Sequence, residues 1–257
     1  MEGEEMDIVI DGFKAGDRTK IDLPRPQQEL IKAIQAVGKP VILVLLNGSA
    51  LAINWEQKNI PAIIETWYPG QAVGEAIASV LVGEYNPGGR LPVTFYKDVK
   101  DLPSFKDYNV STQTYRYFKG EPLYPFGYGL SYTSFAYEQI KIDNNHKAGE
   151  PVKLSVTVKN SGDVAGEEVV QVYVSHLNAP VKVPIRSLAG FQRIKLNAGE
   201  SKQVEFNIAA HAFSIYNQQG EKTIQPGEFE IAVGGGQPGV KVGNYQAPGL
   251  NARITLQ

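Results

Sequence analysis

The sequence predicts an α/β domain with a mostly parallel sheet, followed by an all-β sandwich. In the first hundred residues, helical periodicity alternates with short continuous apolar runs. From about residue 136 onward, apolar and polar residues alternate, and turn sequences separate the alternating segments. This change from a helical to a strand period indicates two domains of different class in one chain.

The α/β part is predicted from two helices and two strands. A helix over 27–37 places its apolar residues on one face, at positions Leu30, Ile31, Ile34 and Val37. The runs VILVLL at 41–46 and AIIETW at 62–67 predict strands covered on both faces, which is typical of parallel sheets. A second helix is expected from after Gly70 to about Val82. Because so few strands precede residue 95, we expect this domain to be incomplete on its N-terminal side and to expose an apolar edge that favours self-association.

The second part is predicted from three alternating segments, KLSVTVKN, VVQVYVS and QVEFNI. The turn sequences NSGD, NAGES and QPGE separate strands at the spacing of a fibronectin type III-like or immunoglobulin-like sandwich. An aromatic and glycine-rich connector lies between the two parts and is too apolar for a free linker. The predicted division is therefore 1–95 for the α/β part, 96–135 for a connector packed on both domains, and 136–257 for the sandwich.

Composition excludes several function classes. The 257 residues carry a formal charge of −2 and no basic stripe, so no nucleic-acid partner is expected. No window predicts a membrane span. With no cysteine and three histidines far apart in sequence, neither a metal site nor any other cofactor is expected. The aromatic pair Trp67 and Tyr68 could stack on sugar rings, although packing where elements meet is the favoured interpretation.

Three carboxylates, Glu2, Glu4 and Glu5, lie in the first five residues. The cluster has two interpretations from the residues alone: a solvated chain end, or a loop from the middle of a larger protein. Three longer stretches favour the second. TWYPGQAVGEAIASVLVGEYNPGGRLPVTF, PLYPFGYGLSYTSFAY and NSGDVAGEEVVQVYV occur in the order and spacing that resemble the C-terminal half of glycoside hydrolase family 3 enzymes, the β-glucosidases and β-xylosidases.

The resemblance implies an N-terminal barrel with a nucleophilic aspartate, an α/β sandwich domain that supplies the acid/base, and a fibronectin type III-like domain. Relative to that pattern, the barrel and the first sandwich strands are missing here. In the family, an E-x-E arrangement precedes an Asp-Arg pair and a Leu-Pro at a helix start. Here the pattern reads Glu2-Gly3-Glu4, Asp17-Arg18 and Leu23-Pro24.

By this resemblance Glu4 is the expected general acid/base, with Glu2 as runner-up, and Asp17 and Arg18 are supporting residues. A glycosidic oxygen is a poor leaving group until it is protonated, which is why a carboxyl group is needed there. Without the barrel nucleophile, we expect the chain alone to be inactive. The expected ligand is a β-linked oligosaccharide or aryl glycoside, with xyloside favoured over glucoside, and the resemblance favours a periplasmic or secreted bacterial protein.

The alternative is a non-catalytic module that serves domain packing or carbohydrate contact. The two hypotheses differ in what precedes Met1, since an upstream barrel would favour the enzyme.

Overall fold

A computed structural model describes residues 11–14, 17–104, 106–143 and 146–257. The chain divides into two compact units. The first comprises Met1–Ile77, Thr94–Tyr108 and Gly120–Tyr124, and the second comprises Ala78–Val93, Asn109–Lys119 and Pro125–Gln257. The predicted connector therefore contributes residues to both units, and its packing on both domains stays a prediction, as do the boundaries at 95 and 135.

The N-terminal elements alternate between helices and short strands. They are β1 (Phe13–Lys14), β2 (Asp17–Arg18), α1 (Arg25–Gln35), β3 (Ile42–Leu45), α2 (Asn54–Asn59), β4 (Ala62–Glu65) and α3 (Val73–Leu81). β3 and β4 pair in parallel, with Leu45 opposite Glu65, which confirms the predicted parallel pairing. Helix α2 was not predicted, because NWEQKN has too few apolar positions to show a period.

Helix α1 begins where the prolines indicate, with Pro24 as N-cap and a proline in its first turn. None of its residues is buried, and Leu30, Ile34 and Val37 on its predicted apolar face are all exposed. The expectation of an amphipathic helix is correct, but most of its apolar stripe is exposed in the described part of the chain, with Ile31 half-buried. An exposed apolar stripe on a helix favours association with another surface.

The second unit contains the sandwich. The strands of its two sheets are β5 (Phe135–Ile142), β6 (Val152–Asn160), β7 (Gly166–His176), β8 (Ser187–Leu196), β9 (Ser201–Ile208), β12 (Gly227–Gly234) and β15 (Gly249–Leu256). The larger sheet has the order β15-β12-β7-β8 and the smaller sheet the order β5-β6-β9, and all pairs are antiparallel. The remaining strands form two short hairpins, β10 (Ile215–Tyr216) with β11 (Lys222–Thr223) and β13 (Lys241–Val242) with β14 (Tyr245–Gln246).

One hydrophobic core lies between the two sheets. The predicted inward-facing residues form it: Leu154, Val156 and Val158 on β6, Val170, Val172 and Val174 on β7, and Val204, Phe206 and Ile208 on β9. Alternation along each strand places these side chains on the same face, so their burial follows directly from the sequence pattern. The all-β part of the fold prediction is confirmed.

Chain segments that precede the sandwich strands also belong to this unit. Residues around Leu91 and Gly127 pair through backbone bonds of 2.7 and 2.8 Å, and the Gln171 side chain on β7 donates to the Gly127 carbonyl at 3.1 Å. A short helix α4 (Thr114–Tyr117) carries Tyr115, whose ring stacks on Phe126 at 4.2 Å. In the described residues, 3₁₀ turns lie at Val99–Asp101 of the first unit and at Val110–Thr112 and Ala210–Phe213 of the second.

No helix in the described ranges is long and apolar enough to cross a membrane.

Candidate functional site

The predicted acid/base lies outside the described residues. Glu4, its runner-up Glu2 and neighbouring Glu5 all precede Asp11, where the description begins. The geometry of the candidate site is therefore built from the residues that follow this acidic stretch.

A small hairpin follows directly. β1 and β2 pair with Phe13 opposite Arg18 and Lys14 opposite Asp17, and the Thr19 backbone N–H donates to the Gly12 carbonyl at 2.8 Å. The Gly12 backbone has φ of 88°, a left-handed conformation that favours glycine. The hairpin therefore reverses the chain between the acidic stretch and the segment leading to α1.

Asp11 and Lys20 close the base of this hairpin with an ion pair of 2.8 Å. The Lys20 hydrogen bond and charge lower the pKa of Asp11, and Asp11 in turn raises the pKa of Lys20. A carboxylate whose pKa is lowered holds its proton poorly and is a weak general acid. Asp11 is thus unsuited to protonating a leaving group, although it lies close in sequence to the predicted acid.

The two predicted supporting residues lie on β2 and are exposed. Within the described part of the chain, Asp17 and Arg18 form no ion pair with each other; the Arg18 guanidinium donates instead to the backbone carbonyl of Asp22. The residue before Asp22, Ile21, accepts a backbone hydrogen bond of 2.9 Å from the Ala52 N–H. Arg18 therefore braces the segment that enters α1, and a direct effect of this pair on the acid/base stays a prediction.

These residues surround an open depression of about 400 Å³. Its lining combines cationic, acidic and apolar side chains: Asp11, Gly12, Phe13, Arg18, Lys20, Asp22, Leu23, Pro24, Arg25 and Gln28. Such a surface offers hydrogen-bond donors and acceptors together, which suits a neutral polar ligand better than a highly charged one.

A second group of polar and aromatic residues lies at the carboxyl ends of β3 and β4. The Glu65 carboxylate accepts the Trp67 backbone N–H at 3.1 Å, and the Asn47 side chain donates to the Ser49 carbonyl at 2.8 Å. Burial raises the pKa of Glu65, and the Trp67 N–H and Asn47 offset part of that effect. Sequence reasoning missed Glu65 and Asn47. Their positions at the ends of two predicted parallel strands were the signal that could have found them, because ligands of open α/β sheets bind at that edge.

The two aromatic residues named from the sequence differ in their surroundings. The Trp67 ring meets the buried Phe95 ring edge-on at a centroid distance of 6.0 Å, as the packing interpretation expects. Tyr68 is 79% exposed, whereas Trp67 is half-buried. The two neighbours in sequence therefore have different environments.

Neither a buried carboxylate nor a metal cluster provides another candidate site in the described residues. Glu56 on α2 is a wholly buried carboxylate, so it cannot reach a substrate. Across the described ranges, no group of three His, Asp or Glu side chains could hold a metal ion.

Comparison with known proteins identifies the family. The family model described as the glycosyl hydrolase family 3 C-terminal domain matches residues 1–132, and the fibronectin type III-like domain model matches residues 168–237. This chain belongs to glycoside hydrolase family 3. The predicted family membership and the predicted fibronectin type III-like domain are confirmed.

Relatives within the family cover nearly all of the chain. A xylan 1,4-β-xylosidase of Xylanibacter ruminicola is 42% identical over 91% of this chain and 27% of its own length. A periplasmic β-glucosidase of Salmonella typhimurium is 39% identical over 91% of this chain and 32% of its own length. The solved structure of a β-glucosidase from Erythrobacter marinus superposes with a TM-score of 0.81 at 36% identity, covering 94% of this chain and 31% of that one. The chain thus spans about a third or less of the length of these relatives.

Proposed function

We propose that this chain supplies the general acid/base of a retaining, exo-acting β-glycosidase that removes terminal non-reducing β-linked sugars. The observation that carries the proposal is the family 3 match over 1–132, because that range includes the opening stretch with Glu2-Gly3-Glu4. Glu4 is the proposed acid/base and Glu2 the runner-up. The nucleophilic aspartate is assigned to a barrel of the kind that the family carries N-terminal to this region.

The chemistry needs two carboxyl groups in different protonation states. In a retaining glycosidase, the acid protonates the departing oxygen while a carboxylate about 5–5.5 Å away attacks the sugar carbon. The acid must then accept a proton from water in the second step, so its pKa must lie near the working pH. The ionised state of Asp11, paired with Lys20, supports the assignment of this role to the opening carboxylates rather than to the hairpin.

A β-xyloside is the proposed substrate and a β-glucoside the second choice. Supporting this order are the opening stretch, which resembles xylosidase-like members, and the higher identity to the Xylanibacter xylosidase than to the Salmonella glucosidase. The margin between 42% and 39% is small, so both substrate classes belong in the test.

The test is a chimera in which this chain replaces the segment that it matches in the Xylanibacter enzyme. The chimera should hydrolyse aryl β-xylosides, and Glu4→Gln should remove the acid without unfolding the protein. The loss should be severe for xylobiose, whose leaving sugar needs a proton, and much milder for a nitrophenyl xyloside, which departs with little protonation. Azide should partly restore turnover of the nitrophenyl substrate by replacing base-assisted water.

Matched controls separate the alternatives. If Glu2→Gln or Glu5→Gln shows this pattern while Glu4→Gln is silent, the acid has been assigned to the wrong carboxylate. If all three variants keep full activity on xylobiose, the opening stretch supplies no acid. If a correctly folded chimera has no activity on either sugar class, the non-catalytic module replaces the enzyme as the better proposal.

A further inference from the structure

Two loops leave the same edge of the parallel strand pair in the first unit. The residue after β4, Thr66, donates both its backbone N–H and its hydroxyl to the Leu45 carbonyl at the end of β3, at 3.0 and 2.7 Å. The loops that begin at Leu46 and Thr66 therefore start side by side. In an open α/β sheet this carboxyl edge is where ligands bind.

The Tyr68 ring lies against the loop that begins at Leu46, and the lack of a side chain at Gly48 makes room for it. A Cβ at position 48 would lie 2.4 Å from Cε2 and 2.9 Å from the hydroxyl oxygen of Tyr68. The ring therefore contacts the Gly48 backbone in a way that no other residue allows. Because Tyr68 as a whole remains 79% exposed, this contact orients the ring without burying the residue.

The backbone that carries Tyr68 is also constrained. Trp67 has φ of 55°, a left-handed conformation that costs a bulky residue free energy, and residues held in this way cluster at active sites and ligand clamps. The Glu65 carboxylate holds this conformation by accepting the Trp67 N–H, and Phe95 packs against the Trp67 ring. The second Glu65 oxygen is fully buried, so Glu65 positions the turn and does not itself face a ligand.

We propose that Tyr68 is a stacking platform for a pyranose ring of a β-linked oligosaccharide, and that Glu65 and Gly48 are its positioning residues. An aromatic face with a polar tip suits a sugar, which presents both C–H groups and hydroxyls. Gly48 is flanked in sequence by the polar residues Asn47 and Ser49, as expected of a loop that also offers hydrogen bonds. This inference rests on the proposed glycosidase function.

Direct binding tests the platform without requiring turnover. In saturation-transfer NMR with xylotriose and cellotriose, the 257-residue chain should show transfer to the sugar protons, and Tyr68→Ala should lose most of it while Tyr68→Phe keeps it. Tyr216→Ala is the matched control, since that tyrosine is 65% exposed on β10 of the second unit. Gly48→Ala should also reduce transfer, because the added Cβ displaces a ring that is still present.

In the chimera, Tyr68→Ala should raise KM for xylotriose roughly 2- to 12-fold with little change in kcat, as expected for about 0.5–1.5 kcal/mol of aromatic contact. Unchanged transfer and unchanged KM in Tyr68→Ala would overturn the platform and leave the proposed enzyme intact. A lower melting temperature with unchanged sugar transfer would overturn it in favour of protein packing at Tyr68. An inactive chimera would contradict the proposed glycosidase function. The NMR comparison would still show whether Tyr68 binds the sugar.

Discussion

Replacing Arg90 with methionine should strongly destabilise the second unit, because it leaves a buried carboxylate without its partner. The Arg90 guanidinium donates to Glu168 on β7 at 3.0 Å, and the two side chains are only 9% and 3% exposed. Arg90 also donates to the carbonyls of Gly88 and Gly89, at 3.2 and 3.0 Å. Methionine keeps much of the apolar volume of the side chain, so the change chiefly removes charge and hydrogen bonds.

The expected cost is about 3–5 kcal/mol, the range for removing one partner of a buried ion pair. For a unit of this size, each kcal/mol lowers the melting temperature by about 2–4 °C, so the expected decrease is roughly 6–20 °C. A neighbouring pair gives a matched control. Arg193 and Glu167 lie 2.5 Å apart with side chains 49% and 29% exposed, so Arg193→Met should cost only about 1 kcal/mol or less.

The cost should also depend on pH. Burial raises the pKa of Glu168, and the Arg90 charge partly offsets the rise. A carboxyl group whose pKa is higher in the folded than in the unfolded protein destabilises the fold as pH rises from the usual carboxyl range through that raised pKa. Without Arg90 the pKa of Glu168 rises further. The loss of stability caused by Arg90→Met should therefore be largest above that pKa, and it should shrink as the pH falls and Glu168 binds a proton.

The assay is thermal unfolding followed by far-ultraviolet circular dichroism for the sandwich and by tryptophan fluorescence for the first unit, which contains both tryptophans, Trp55 and Trp67. The melting transition of Arg90→Met should shift to lower temperature in the circular dichroism signal. Adding Glu168→Gln to this variant should recover much of the loss, because no buried charge then remains. A deficit below about 1 kcal/mol that does not change with pH would refute the buried pair.

Two further predictions concern stability and association. Asn160 is fully buried, accepts hydrogen bonds from the Thr133 hydroxyl and the Gly162 N–H, and donates to two backbone carbonyls. Asn160→Ala should therefore lower the free energy of unfolding, measured by urea titration, by about 2–4 kcal/mol. A loss below about 1 kcal/mol would contradict these hydrogen bonds. The chain should self-associate through the exposed stripe of α1, and Leu30→Lys with Ile34→Glu should shift it toward monomer in sedimentation velocity, whereas Phe191→Lys on β8 should not. Monomeric behaviour of the unaltered chain would contradict this expectation.

The sequence predicted the elements whose periodicity reflects their burial. Alternation along β6, β7 and β9 placed the sandwich core correctly, because a strand exposes and buries successive residues regardless of its partners. The parallel strands β3 and β4 were predicted from continuous apolar runs, and they do pair in parallel. The expected cover on both faces is not seen in the described residues, where Ile42 and Ala62 are exposed. Periodicity does not tell whether a partner surface is present, however, and the exposed stripe of α1 shows that a correct amphipathic prediction can still leave open what covers the helix.

Local conformation was harder to predict where it opposes residue preference. The second apolar run was expected to remain extended through Trp67, yet β4 ends at Glu65 and Trp67 adopts a positive φ. Apolar, bulky residues favour extended backbone, so nothing in the sequence of this run indicates a left-handed turn. The turn depends on Glu65 accepting the Trp67 N–H and on Phe95, which lies 28 residues away in sequence (95 − 67 = 28), packing against the Trp67 ring.

The candidate sites differ in the kind of information that each requires. The role of Glu4 was inferred from an ordered set of short motifs. A general acid needs a carboxyl group positioned beside the substrate, and the motif pattern of a family indicates which carboxyl group has that position. The Tyr68 platform instead requires a particular orientation of the ring. That orientation depends on the absence of a side chain at Gly48 and on the positive φ of Trp67, two residues after Glu65. Many sequences contain a tyrosine after an apolar strand, and most such rings pack inward. It is the combination of a constrained turn and an exposed ring at the carboxyl edge that separates a binding residue from a packing one.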